Sequence, residues 1–154
     1  MRRAALVSLA LTLLFVACGD EPEPFETQIR GLVTEAEEAA EAKDIDALMD
    51  LIADDYSGPR REAKRDLENI ARFMMARHQA IHLFTRMGDI ELTDSTSARA
   101  TAFVALGGRP ISGPEELESL RGSLWRFDIL VRRDDGEVQV TQAQWRRARP
   151  DDFL

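Results

Sequence analysis

The sequence predicts an α+β fold in which three N-terminal helices pack on a curved four-stranded antiparallel sheet. Three observations lead there. Apolar residues recur at helical spacing from Phe25 to about His78. From Ile81 the period drops to two, the alternation of a half-buried strand. The last two extended runs are joined by "RRDDGE", Arg132 to Glu137, whose central Asp-Gly is a two-residue hairpin signal. Helices first and strands after, joined by short connections, favour an antiparallel sheet with helices packed on one face.

Ahead of the first helix, Arg2 and Arg3 precede an apolar run from Ala4 to Ala17. As a helix, its 14 residues would span about 21 Å, short of the roughly 30 Å hydrocarbon core of a bilayer. A signal peptide is therefore expected over residues 1–17. The run ends in "LLFVACGD", Leu13 to Asp20, which resembles a bacterial lipobox, with Phe15 where leucine is usual. By that resemblance the sulfur of Cys18 receives a diacylglyceryl group and a peptidase cleaves just before it. Cys18 is the chain's one cysteine, so no intrachain disulfide can form. Multiple acyl chains give stable membrane anchoring where one chain gives only marginal binding. The resemblance implies a lipid-anchored location in the cell envelope, facing the periplasm. Gly19, in place of aspartate after the cysteine, implies the outer membrane rather than the inner.

Residues 18–24 read as a short extended tether, "CGDEPEP", with two prolines and three acids. Pro24 is placed to open the first helix, which runs from Phe25 to about Ala42 with Ile29, Leu32, Val33, Ala36, Ala39 and Ala40 on its apolar side. Asp44 is a suitable N-cap for a second helix whose stripe is Ile45, Leu48, Met49 and Ile52. "DDYSGP" ends it. A third helix is expected from Arg60 to His78, with Leu67, Ile70, Ala71 and Met74 inward, and with Met74 and Met75 as core filler. Arg60 and Arg61 in its first turn have the wrong sign for the helix dipole.

The first strand begins at Ile81 and changes apolar phase at Gly88-Asp89, which predicts a bulge. A second strand runs from about Ala98 to Leu106. "GGRPISGPEE" then forms a loop. A third strand is expected from Leu120 to Arg132, with a second phase change at Leu124–Trp125, and a fourth from Val138 to Arg147. The packed domain is expected over residues 25–149, followed by a tail over 150–154.

"DIDALMDLIADDYSG" and "GSLWRFDILVRRDDGEVQVTQAQW" are similar to the second helix and the closing hairpin of the nuclear transport factor 2-like superfamily. The resemblance implies a cone whose sheet and helices enclose a cavity, used by enzymes of the polyketide-cyclase and ketosteroid-isomerase kind. It also implies two short strands between the second and third helices, for which "SGPRRE" leaves almost no room. Residues able to serve such a cavity are Tyr56, His78, His82 and Asp128, with Phe103, Trp125 and Trp145 as apolar lining. Asp128 alternates with Trp125, Phe127 and Ile129 and so is expected to face away from that apolar side, paired with Arg126, Arg132 or a cross-strand arginine such as Arg147. Tyr56 is expected to pack at a helix end with its hydroxyl on a backbone carbonyl.

His78 and His82 are four residues apart, as in H-E-x-x-H, but Gln79, Ala80 and Ile81 lie between them and supply no general base. The period change places His82 in a strand, so no metal site is expected. Phosphate-loop and nucleophile-elbow motifs are absent, and no cofactor is implied. A net charge of −8 argues against a nucleic-acid partner. Charge is segregated: residues 20–55 carry 13 acidic and 2 basic side chains, while residues 121–149 carry 7 basic and 4 acidic. Complementary solvated faces explain this. A functional reading has Arg126, Arg132, Arg146, Arg147 and Arg149 contact an anionic envelope component. Together these readings imply a non-enzymatic envelope lipoprotein, a binding or assembly module anchored through Cys18, with a homodimer across the exposed sheet face or another envelope protein as partner. The alternative is a small-molecule carrier or an isomerase- or dehydratase-like enzyme using the cone.

Overall fold

The computed structural model describes residues 23–154, so the signal peptide and Cys18 lie outside the described residues. Pro24 has extended backbone and immediately precedes helix α1, Phe25–Ala42, which ends as predicted with Lys43 in the left-handed conformation. Lys43 also reaches forward, donating from Nζ to the backbone carbonyls of His78 and Gln79 and tying the end of α1 to the entry of the sheet. Helix α2 is short, Ile45–Asp50, and Asp44 caps it by accepting from the Ala47 amide at 3.0 Å.

Helix α3 spans Lys64–Arg77, four residues shorter at its start than expected. The difference moves the dipole conflict without removing it, because Lys64 and Arg65 now open the helix. Arg60 and Arg61 belong to a turn before the helix, in which Arg61 has φ 69° and Arg60 pairs with Glu62 at 2.8 Å. The first turn of α3 carries Asp66 beside these two cations; its carboxylate accepts from the Ala63 amide, and Lys64 pairs with Asp54 at 2.9 Å. The helix is also rotated from the expected face. Met75 is buried and Leu67 packs on the main core, whereas Ile70, Phe73 and Met74 are exposed, Phe73 beneath the guanidinium of Arg77. Met74 is therefore not core filler.

The four strands, β1 (His82–Leu92), β2 (Ser97–Gly107), β3 (Leu124–Asp134) and β4 (Glu137–Arg147), form one antiparallel meander in the order β1-β2-β3-β4. The bulge expected at Gly88-Asp89 is present. Met87 pairs with Ala102 and Ile90 with Ala100, so two residues oppose Thr101 alone. Glycine fits closely there, since a Cβ on Gly88 would stand 3.1 Å from the Phe103 ring and 3.3 Å from Thr101, and these side chains would have to give way. The second bulge lies elsewhere than predicted. The pairing of β3 with β2 runs unbroken from Leu124 to Arg132, and the shift falls between β3 and β4, where Thr141 is the extra residue. The β3–β4 turn is the expected one, with Asp135 and Gly136 both at positive φ, 48° and 89°.

Alternation divides the sheet into two faces. Ala98, Ala100, Ile129, Val131, Val140 and Ala143 point to the helices and pack with Phe25, Ile29, Leu32 and Tyr56. The opposite, outer face carries a second core of Phe103, Ala105, Leu124 and Ala148 with Phe84. It is covered by two 3-10 segments, Pro114–Ser123 between β2 and β3 and Pro150–Phe153 at the C-terminus. Leu117 is fully buried there, and Phe153, 4% exposed, stacks on Phe84 and Phe103 at centroid distances of 6.4 and 5.8 Å. Two expectations are corrected. Leu120 belongs to the 3-10 segment rather than to β3, and residues 150–153 are part of the packed unit rather than a tail. Helices on one face do not describe the whole arrangement, because an irregular layer buries half of the other.

Between α2 and α3 there are isolated bridges rather than the two short strands implied by the resemblance: Ile52 with Val140 and Ser57 with Ala63. Residues 51–57 instead run along the outer edge of β4. The amides of Ala53 and Ser57 donate to the carbonyls of Val140 and Thr141, and the Val140 amide donates to Leu51. This segment shields an edge that would otherwise present unpaired backbone groups.

If Phe153 closes the outer core, Phe153→Ala will lower the unfolding free energy by about 3 kcal/mol, the cost of emptying an aromatic site. Leu154→Ala, at a side chain 77% exposed, will change it by no more than about 0.5 kcal/mol. Urea denaturation followed by tryptophan fluorescence measures both.

Candidate functional site

The uncovered half of the outer face is polar. Thr101, Asp128 and Gln144 lie directly opposite one another across β2, β3 and β4, and Arg99, Leu130 and Gln142 form the neighbouring row. Strands stand about 4.8 Å apart and same-face neighbours about 7 Å apart, so these six side chains tile a patch roughly 10 Å by 7 Å. All but Thr101 border a cleft of about 240 Å³ whose rim is completed by Pro59. The turn carrying Pro59 is held in place by the same edge segment that shields β4, through the amide of Ser57 on Thr141.

Asp128 is the electrostatic centre of this face. Its Oδ1 accepts from Arg126 Nη2 at 2.7 Å, Arg126 Nε at 2.9 Å and Thr101 Oγ1 at 2.9 Å, while Oδ2 receives one longer bond, 3.1 Å, from Arg126 Nε. Partial burial pushes the carboxyl pKa up. The hydrogen bonds from Arg126 and Thr101 and the charges of Arg126 and Arg146 outweigh it and hold Asp128 below its ordinary value. Asp128 raises the Arg126 pKa in return, and the guanidinium lies over the Phe103 ring at 5.7 Å. Gln142 and Gln144 make no side-chain hydrogen bond to any described residue, and Arg99 touches only Glu91, at 3.6 Å.

The residues expected to share a cavity are not brought together. Tyr56 is 4% exposed in the main core and donates its hydroxyl to the Ala143 carbonyl at 3.2 Å, the structural role expected of it. His78 ends α3 with Nδ1 on the Met74 carbonyl at 2.8 Å, while His82 opens β1, so the two imidazoles do not share a helix face. Phe103 and His82 take the outer-face parity, whereas Trp125 and Trp145 take the helix-facing one, Trp145 beside Phe127 and Trp125 beneath Arg147 at 4.0 Å. Asp128 faces away from Trp125, Phe127 and Ile129, as expected. Among the described residues, no group of three or more His, Cys, Asp and Glu side chains could hold a metal ion. No helix among them is long and apolar enough to cross a membrane.

The five arginines of the sheet do not form one surface. Arg132 makes a two-pronged bond to Asp55, both contacts 2.9 Å, and Arg126 is engaged by Asp128. Arg146 shares the outer face, Arg147 lies on the opposite one, and the Arg149 amide caps the C-terminal turn by donating to Asp152. Sequence reasoning missed Gln142 and Gln144, although their alternation with Ala143 and Trp145 marks them as facing one way on a strand.

A long helix and two shorter ones cradling a bent antiparallel meander constitute the nuclear transport factor 2-like fold. The chain superposes on such a protein of unknown function from Shewanella oneidensis with a TM-score of 0.60 at 16% identity, covering 78% of this chain and 97% of that one. It is similar also to a putative scytalone dehydratase from Novosphingobium aromaticivorans, with a TM-score of 0.62, 11% identity and coverage of 80% and 84%. A domain of unknown function from Nostoc punctiforme, described as cystatin-like, gives 0.62 at 9% identity, with coverage of 80% and 77%. No protein-family model and no curated protein matches the sequence.

Two measurements check this site. Tyr56 is the chain's one tyrosine, so the absorbance of tyrosinate reports it alone. Burial pushes its pKa above the ordinary value of 10, outweighing the bond to Ala143, so the folded protein will titrate later than its urea-unfolded form. Because the folded pKa is raised, this contribution to stability is complete below pH 10 and is lost as pH climbs through the folded value. For Asp128 the sign is opposite. Its folded pKa is depressed, so its contribution is present at neutral pH and is lost as pH falls below about 4. Asp128→Asn will cost about 1 kcal/mol at pH 7, with Arg126 half-exposed and unpaired. That difference from wild type will shrink on acidification.

Proposed function

We propose that this chain is a lipid-anchored binding module of the cell envelope, not an enzyme, and that it engages its partner through the outer face of its sheet. One observation carries the choice of face. The helix-facing side, where a cone-cavity enzyme would hold its acid or base, is filled around Ile29, Val131 and Ala100 by apolar side chains, and the hydroxyl of Tyr56 is spent on a backbone carbonyl. The polar groups with spare hydrogen-bonding capacity stand on the outer face instead, at Asp128, Gln142 and Gln144. A dehydratase- or isomerase-like activity would need a free ionisable group inside the cone; the Glu37 carboxylate that reaches the helix-facing side accepts from Thr85, and Asp128 points out of the cone.

Anchoring through Cys18 is supported by the apolar run that precedes it and by its being the one cysteine of the chain. The tether that follows is seven residues long if residue 18 is its first, a reach of about 23 Å from the bilayer at 3.3 Å per residue. With the 3-10 layers covering half of the outer face, a homodimer across it would be confined to the polar half around Arg99, Asp128 and Gln144.

Metabolic labelling with an alkyne palmitate in a bacterial host tests the anchor. Wild type will incorporate label and fractionate with the outer membrane, whereas Cys18→Ser will be unlabelled and uncleaved at this site. Normal acylation of Cys18→Ser would overturn the reading.

A further inference from the structure

We infer that the cleft beside Asp128 is a subsite for one neutral sugar ring. The inference deepens the binding-module reading above and rests on it for the choice of face. Its size comes first: about 240 Å³ is below the roughly 300 Å³ at which drug-sized ligand pockets begin, so a single six-membered ring is the appropriate occupant.

The chemistry of the lining selects the class. Gln142 and Gln144 each offer an amide donor and a carbonyl acceptor, neither used within the described residues, and each side chain can serve a hydroxyl as both partner types. Asp128, held ionised by Arg126 and Thr101, is an acceptor only, with Oδ2 left with a single 3.1 Å bond. Arg99 supplies guanidinium donors from the other side of the cleft, bound only loosely to Glu91. Leu130, between Arg99 and Gln142, and the ring of Pro59 give apolar surface for the C–H face of a pyranose. A ring carrying adjacent hydroxyls satisfies donors and acceptors together.

A phosphate or carboxylate could use the loosely held Arg99 but would meet the Asp128 carboxylate across the same cleft, and Arg126 is already committed to that carboxylate. The second cleft, about 340 Å³ and bordered by Gly107, Gly108, Ile111 and Leu120, offers no comparable set. Its polar side chains, Arg109 and Glu116, are joined to each other at 2.7 Å, and Glu116 also accepts from the Ser112 amide.

A free sugar and the end of an envelope polysaccharide share this chemistry, and the experiment separates them. The full-length protein in detergent micelles, and separately its Cys18→Ser variant, is titrated with N-acetylglucosamine, with its β-1,4-linked tetramer and with inorganic phosphate, following the side-chain amide signals of Gln142 and Gln144 by NMR. Both sugars are expected to shift these signals with dissociation constants near 1 mM, a binding energy of about 4 kcal/mol. Tighter binding of the tetramer identifies a polymer end, and equal binding identifies a free sugar; either supports the subsite. Gln142→Leu/Gln144→Leu, which breaks no intramolecular hydrogen bond, will keep the wild-type melting temperature and weaken binding at least about tenfold, read from the Arg99 guanidinium signal. No shift with either sugar up to about 50 mM, undiminished binding by the double variant, or phosphate binding at the same signals as tightly as sugar would overturn the inference. Binding by Cys18→Ser equal to wild type keeps the subsite standing even where the labelling experiment refutes the anchor.

Discussion

The structure depends on burying both sides of the β2–β3 pair with different partners. Along β2 the helix-facing positions are Ala98, Ala100 and Ala102, and the outer ones at the far end are Phe103 and Ala105. Alanine on the inner side lets α1 approach the sheet closely enough for Ile29 and Leu32 to fill the space over Val131 and Ile129. Burying each such aliphatic side chain is worth about 1.5–3 kcal/mol, so this contact dominates the fold. The same alternation puts Phe103 on the outer side, where helices are absent, and so obliges the chain to supply cover from elsewhere. The β2–β3 connection does so with Leu117, and the C-terminus does so with Phe153.

Edge protection is the second consequence of this economy of elements. A four-stranded meander has two free edges, and β4 is covered by the segment between α2 and α3 rather than by another strand. Tyr56 secures that segment from inside the core, since its hydroxyl satisfies the Ala143 carbonyl while its ring packs with Phe25 and Ile29. A tyrosine that would be a candidate acid in an open cone is here a fastening between an irregular segment and the sheet. Its raised pKa follows from that burial and does not signal catalysis.

Function follows from what these layers leave uncovered. The outer 3-10 layers stop short of the bulged half of the sheet, and there the alternation exposes Arg99, Asp128, Gln142 and Gln144 in register. Arg126 and Thr101 fix the carboxylate of Asp128 in orientation and charge. The likeness to a putative dehydratase is one of backbone, at 11% identity, and a shared cone carries no activity with it.

Much of this was legible from residues alone, because local periodicity and turn chemistry act within a few residues. The extent of α1, the Asp44 cap, the bulge at Gly88, the Asp135-Gly136 turn and the outward aim of Asp128 all follow from spacing. What spacing cannot express is contact between segments far apart. "GGRPISGPEE" and the last five residues have no period, so nothing local marks Leu117 and Phe153 as core. The rotation of α3, which buries Met75 and exposes Met74, is set by what the helix meets rather than by its own stripe. The sequence by itself determined the three helices and four strands, their order, and the face of strand residues such as Asp128 that lie within an unbroken alternation. Only the tertiary structure decided that apolar side chains pack the helix-facing side around Ile29, that the outer face is half-covered, and that Asp128, Gln142 and Gln144 stand together, because each depends on pairing across strands or layers remote in the chain.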